Sequence, residues 1–102
     1  MIELHVTYGS AGEARAQARA VIEARQAACA NIIGTVCSLY WWKGEVEEED
    51  ETLVIFKTSD AKANSAEAFI AEHHPYDTPA IIRHTAVGAN DDYARWVDEE
   101  TA

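Results

Sequence analysis

From Ala30 the chain reads Asn31-Ile32-Ile33-Gly34-Thr35-Val36-Cys37-Ser38-Leu39-Tyr40-Trp41-Trp42, a stretch dominated by β-branched and aromatic residues. Such side chains crowd the turns of a helix and fit the pleated surface of a strand. The stretch therefore predicts one long strand, bent at Gly34, where a residue without Cβ weakens regular pairing. Lys43-Gly44 follows, and Gly supplies the positive φ that a tight hairpin turn needs. The chain then returns through Val46 to Leu53-Val54-Ile55-Phe56-Lys57-Thr58. A long antiparallel hairpin is thus the element around which the rest has to be arranged. The unbroken apolar run at 53–56 further predicts a central strand buried on both faces.

On the N-terminal side, Ile2, Leu4 and Val6 alternate with Glu3, His5 and Thr7, the period of a strand covered on one face, over residues 2–8. Ser10 and Glu13 have the Ser-x-x-Glu spacing of a capping box. Ala14, Ala18, Val21 and Ile22 recur on one side of the helix it opens, and Arg15, Arg19, Glu23 and Gln26 fall on the other. After the hairpin, Ser59 or Asp60 caps a second helix carrying Ala66, Phe69, Ile70 and His73 at helical spacing, and Pro75 stops it. Residues 80–87 read as a fourth strand. Asn90, Asp91 and Asp92 open a last short helix with Tyr93, Trp96 and Val97 on one side, while Asp98, Glu99 and Glu100 at its negative end predict fraying. The order βαββαβ plus a C-terminal helix predicts an α+β, ferredoxin-like fold with a long hairpin arm, in one domain over residues 1–102. That architecture hosts enzymes, RNA-binding modules and regulators, so function has to come from particular side chains.

Charge narrows the classes. The net charge of −10 opposes binding to a phosphate backbone or an anionic membrane and favours cations or basic partners. The N-terminus lacks a basic segment followed by an apolar one, and no apolar run approaches the ~18 residues of a membrane span. The expected location is the cytoplasm, with neither nucleic acid nor membrane as partner. Most or all of the chain between Cys29 and Cys37 falls in the long predicted strand, where eight residues span roughly 26 Å, so that strand excludes a disulfide between them.

Residues 73–79, His73-His74-Pro75-Tyr76-Asp77-Thr78-Pro79, hold two imidazoles, a phenol and a carboxylate between two prolines. They read either as a ligand site or as a proline-terminated helix whose histidines settle against its negative end. Tyr40, Trp41 and Trp42 are consecutive, so they alternate faces, and a chain this small covers both with difficulty. They predict a subunit contact, or a terminal helix folded back over them. Glu45, Glu47, Glu48, Glu49, Asp50 and Glu51 lack the spacing of a calcium loop and read as a solvated arm that discourages edge pairing. Cys29, His73, His74 and Asp77 could supply ligands for copper or zinc, without a tight ligand-spacing motif. Lys57 either neutralises an anionic ligand or extends its stem to water. Gly9-Ser10-Ala11-Gly12 with Arg15 is too short a cue for a phosphate-cradling hydrolase, and no catalytic constellation is assigned.

Taken in chain order, Ala27-Ala28-Cys29-Ala30-Asn31-Ile32-Ile33, Ser38-Leu39-Tyr40-Trp41-Trp42-Lys43-Gly44, Lys57-Thr58, residues 73–79 and Tyr93-x-x-Trp96 resemble the divalent-cation tolerance protein CutA family. The likeness covers essentially the whole chain. It implies a homotrimer assembled through long hairpin arms, similar in design to PII signalling proteins, with a role in tolerance of copper and other divalent cations. It attaches no enzymatic reaction and no required cofactor. By position it points to Tyr40, Trp42, Lys57, His74 and Tyr76, with Cys29, as lining or supporting a cleft between subunits, and to Cys29 and His74 as metal ligands. Two departures stand out: Ala80 occupies a position where the family usually has Glu, and Val6 one where some members have Cys. A carboxylate and a thiol are therefore missing from the neighbourhood expected to hold a metal. The alternative is a PII-like trimer in which Lys57, His74 and Tyr76 bind a small anion and the arms signal to a partner protein.

Overall fold

The computed structural model describes residues 1–102, and the predicted elements appear in the predicted order. They are β1 (Ile2–Tyr8), α1 (Ala11–Glu23), β2 (Cys29–Trp42), β3 (Glu45–Thr58), a 3-10 turn at Asp60–Lys62, α2 (Ala63–His73), β4 (Ile81–His84) and α3 (Asp91–Glu100). The four strands form one antiparallel sheet in the order β2-β3-β1-β4, the ferredoxin-like arrangement. No helix is long and apolar enough to cross a membrane.

The core lies between the sheet and the helices α1 and α2. Ile2, Leu4, Val6 and Tyr8 of β1 and Val54 and Phe56 of β3 meet Ala14, Ala18 and Val21 of α1 and Ala63, Ala66 and Ile70 of α2. The alanines let the helices approach the sheet closely, and each large side chain enclosed there contributes roughly 1.5–3 kcal/mol of transfer free energy. Two hydrogen bonds tie the layers: Gln17 Nε2 donates to the Ile70 carbonyl at 3.2 Å, and the Thr58 hydroxyl donates to the Gln26 carbonyl at 2.7 Å. Ser10 caps α1, accepting from the Glu13 N–H at 3.1 Å. The reciprocal half of the capping box is replaced, since the Glu13 carboxylate accepts from the Ser10 hydroxyl instead.

Three expectations need correction. β3 is not buried on both faces: Thr52, Val54, Phe56 and Thr58 are buried, but Leu53, Ile55 and Lys57 are partly exposed, because α1 and α2 both lie on the other side. β4 is only four residues long, since Ala86 adopts a left-handed φ of 55° and the Val87 N–H bonds the Met1 carbonyl, turning the chain out of the ladder. The C-terminal helix does not fray at Glu100. Arg25 holds the Glu100 carboxylate, and the buried Thr101 hydroxyl bonds the Val97 carbonyl at 2.8 Å and Ser59 at 3.0 Å.

The hairpin follows the sequence closely. Lys43 and Gly44 take φ values of 50° and 83°, a two-residue turn with Trp42 opposite Glu45. The ladder slips at Gly34, where Ile33 pairs with Leu53 and Thr35 with Thr52, leaving Gly34 as the extra residue of a β-bulge. Beyond it the ribbon projects from the body, and the molecule measures 45 × 23 × 22 Å. α3 does not fold back over this arm, where Trp41 is 76% and Trp42 55% exposed.

Candidate functional site

Strand register places the candidate residues that lie on strands, Cys29, Tyr40, Trp42 and Lys57, on the side of the sheet away from α1 and α2. Three rows cross it: Cys29, Lys57, Glu3 and His84, then Asn31, Ile55, His5 and Ile82, then Ile33, Leu53 and Thr7. Past the bulge the same side of the arm carries Val36, Ser38, Tyr40 and Trp42 opposite Glu51, Glu49, Glu47 and Glu45.

At the body end, Lys57 Nζ donates to Asn31 Oδ1 at 2.6 Å and lies 5.9 Å from the Tyr93 ring centroid. Lys57 is thus positioned by neighbours rather than merely extended to water. The Cys29 thiol donates weakly to the same Asn31 oxygen at 3.9 Å. The Tyr93 phenol is pushed up to about 12, first by burial, then by the adjacent Cys29 sulfur and the Glu3 carboxylate.

At the arm end, α2 stops before Pro75 as the sequence requires, and His74 turns into extended backbone at its C-terminus. Its ring is buried, stacked on Tyr8 at 4.5 Å and tilted against Tyr76 at 4.7 Å. Nε2 lies 2.9 Å from the Thr7 carbonyl, and Nδ1 accepts the Tyr76 N–H at 3.0 Å. A carbonyl only accepts and an N–H only donates, so these partners fix the proton on Nε2 and occupy the Nδ1 lone pair. Ligating a metal through His74 would therefore break one of these bonds. His73 is the reverse case: it is exposed, stacked on Phe69 at 4.3 Å, and its Nδ1 bonds the Phe69 carbonyl at 2.8 Å. That matches the helix-end reading and leaves Nε2 with its lone pair facing solvent.

Tyr76 donates its hydroxyl to Glu51 Oε2 at 2.9 Å. Its phenol lies well above the ordinary range through burial, then through that bond and the charges of Glu51, Glu49 and Glu13. Tyr40 is raised chiefly by its hydrogen bond to Glu49, then by burial and by the carboxylates of Glu49, Glu47 and Glu51. Both phenols remain neutral donors to a carboxylate ladder. Gly9 packs close beside them: a Cβ there would lie 3.3 Å from both the Tyr76 hydroxyl and a Glu13 carboxylate oxygen, which would have to give way by a few tenths of an ångström.

Within one subunit, then, the expected cleft residues separate into two groups. Tyr40, His74 and Tyr76 gather where arm meets body, with Trp42 toward the tip, whereas Lys57 is six strand residues from Glu51, roughly 20 Å away. Cys29 lies four residues along the sheet from the row of Thr7, which His74 touches, or about 13 Å. No three His, Cys, Asp or Glu side chains are arranged as a metal centre. Val6 is fully buried beneath the helices, so a thiol there would not face Cys29, and Ala80 is exposed beside Pro79. What sequence reasoning missed is the roles of Asn31 and Tyr93 around Lys57, and of Glu51 as partner of Tyr76; Asn31 and Tyr93 lay within quoted motifs and Glu51 within the acidic run, but no spacing joined them.

The sequence matches the family described as CutA1 divalent ion tolerance protein over residues 2–100. The chain belongs to the CutA1 family. The divalent-cation tolerance protein CutA of Pyrococcus horikoshii is 37% identical to it over 101 residues, covering 99% of this chain and 98% of that protein. Mouse protein CutA is 38% identical over 84 residues, covering 82% of this chain and 48% of the mouse protein, so the chain spans about half the length of that relative. The crystal structure of CutA1 from Pyrococcus horikoshii superposes with a TM-score of 0.94 at 36% identity, covering 100% of this chain and 99% of that one. The CutA1 fold thus accounts for sheet, arm and terminal helix together.

Proposed function

We propose that this CutA1 protein serves tolerance of divalent metal ions, copper among them, as a cytoplasmic homotrimer that catalyses no reaction, and that its ligand cleft is completed between subunits. The observation that carries this reading is the separation, within a single subunit, of the Lys57 row from the Thr7 row that His74 touches, about 13 Å along the sheet, and from the Glu51 that Tyr76 touches, roughly 20 Å. A head-to-tail neighbour brings one group against the other without refolding either. Exposed Leu39, Trp41, Trp42 and Val46 on the arm, and Ile33 and Ile82 on the open face, supply apolar surface for that contact.

The carboxylates of Glu13, Glu49 and Glu51 around Tyr76 favour a cation over a small anion at that end. Of the two expected metal ligands, Cys29 keeps an available thiol, and His74 has to surrender a hydrogen bond. Native mass spectrometry of untagged protein tests the assembly: the expected mass is that of three chains. A monomer at micromolar concentration, checked by light scattering, overturns the reading.

A further inference from the structure

We propose that His5 and His84 form a separate site for a divalent transition-metal ion of the copper or zinc class on the open face of the sheet. β1 and β4 pair with Glu3 opposite His84 and His5 opposite Ile82, which sets the two imidazoles on a diagonal across neighbouring strands. Diagonal neighbours stand roughly 7–8 Å apart at the backbone. Here the rings lean together, their centroids 4.2 Å apart and their planes at 41°. Two imidazoles that bind one ion through nitrogens at about 2.0–2.1 Å hold their ring centroids roughly 5 Å apart, so a small turn of the exposed His84 ring opens this contact enough to seat an ion between them.

Glu3 adds the second element. Its Oε1 lies 3.1 Å from His5 Nε2. With the carboxylate ionised, the proton sits on Nε2, and Nδ1 keeps the lone pair. A carboxylate bound to the far nitrogen is the arrangement that orients a metal-binding histidine and makes it a stronger ligand. Both histidines also stand on strands fixed from beneath. Leu4 and Val6, on the opposite side of β1, are fully buried, so His5 is held on a rigid support, while the exposed His84 is free to adjust its rotamer.

No third group converges on the pair within the subunit, so the remaining positions of the ion belong to water or to a second copy of the chain. Two imidazole nitrogens select copper or zinc over magnesium or calcium, which prefer oxygen. The site is independent of Cys29, which lies at the other end of the Glu3 row, three strand spacings or about 14 Å away.

The test is isothermal titration of tag-free, chelator-stripped protein with Cu²⁺, Zn²⁺ and Mg²⁺ at neutral pH, comparing wild type with His5→Gln, His84→Gln and Cys29→Ser. Circular dichroism confirms folding of each variant. The expected result is saturable copper and zinc binding with no magnesium counterpart, weakened at least tenfold in each histidine variant and retained in Cys29→Ser. The copper-loaded wild type should also show nitrogen hyperfine coupling in its paramagnetic resonance spectrum. Wild-type affinity in both histidine variants, or a copper spectrum without nitrogen coupling, overturns the site. Subunit number is read separately, so failure here leaves the trimeric reading standing.

Discussion

β3 passes through two environments while pairing with β2 throughout. Along residues 52–58 every second side chain is buried, and along residues 45–50 none is. In the body, the β2–β3 ladder is backed by β1, α1 and α2. In the arm, the same ladder stands alone, a two-stranded ribbon of a kind only marginally stable in water. The difference teaches that pairing sets where the arm's side chains point, while burial sets how firmly they stay there. The body supplies its own burial, and the arm has to obtain it from another molecule.

The comparison breaks first at Phe56. Replacing it with Ala should cost about 3–5 kcal/mol in urea unfolding, because it empties the centre of the body's core. A cost below ~1 kcal/mol would mean that the body is not the stabilising half. Trp41→Ala sharpens the other side: it should leave the circular dichroism of the subunit intact yet weaken association by ~2 kcal/mol or more, read by sedimentation equilibrium. An unchanged association constant would make the arm a solvated ribbon. At the junction of the two regions, His74→Ala strands the Thr7 carbonyl and the Tyr76 N–H and should cost about 1–3 kcal/mol, while His73→Ala, one residue away, should cost less.

The smallest effect is electrostatic. The folded protein holds the Tyr93 proton more tightly than an unfolded chain, whose phenol ionises near 10. Its contribution is therefore full below pH 10 and is lost as pH rises through about 12. Unfolding free energy should fall over that window, less steeply in Tyr93→Phe. Tyr40→Phe, on the exposed arm, should change the slope less. Equal slopes in wild type and both variants would show that the two phenols do not distinguish body from arm.

Much of this fold was legible because local chemistry dictated it. The alternation of β1, the Lys43-Gly44 turn, the bend at Gly34 and the stop before Pro75 each follow from a residue type with few alternatives. The early end of β4 was not, since nothing in Thr85-Ala86-Val87 demands a left-handed Ala86; the bond between Val87 and Met1 is a tertiary event. The open face of β3 misled for a related reason. An apolar run implies cover, but a sequence does not state whether that cover comes from the same chain. The candidate site was legible as a set of residues and illegible as a geometry. His73 and His74 are identical in type and adjacent, and only the Thr7 carbonyl, 67 positions away in sequence, makes one a brace and leaves the other's Nε2 free.

The single extra residue at Gly34 governs more than a bend. Before it, the open side of β2 carries odd-numbered positions, Cys29, Asn31 and Ile33; after it, even-numbered ones, Val36, Ser38, Tyr40 and Trp42. Were Gly34 to take a regular paired place in the ladder instead of standing aside, Leu39 and Trp41 would come round to meet the carboxylates, with Tyr40 and Trp42 sent to the far side. Which aromatic greets a ligand is thus encoded in the one residue left unpaired, and a slip of one place in the pairing can rewrite the arm's chemistry while leaving every side chain in it unaltered.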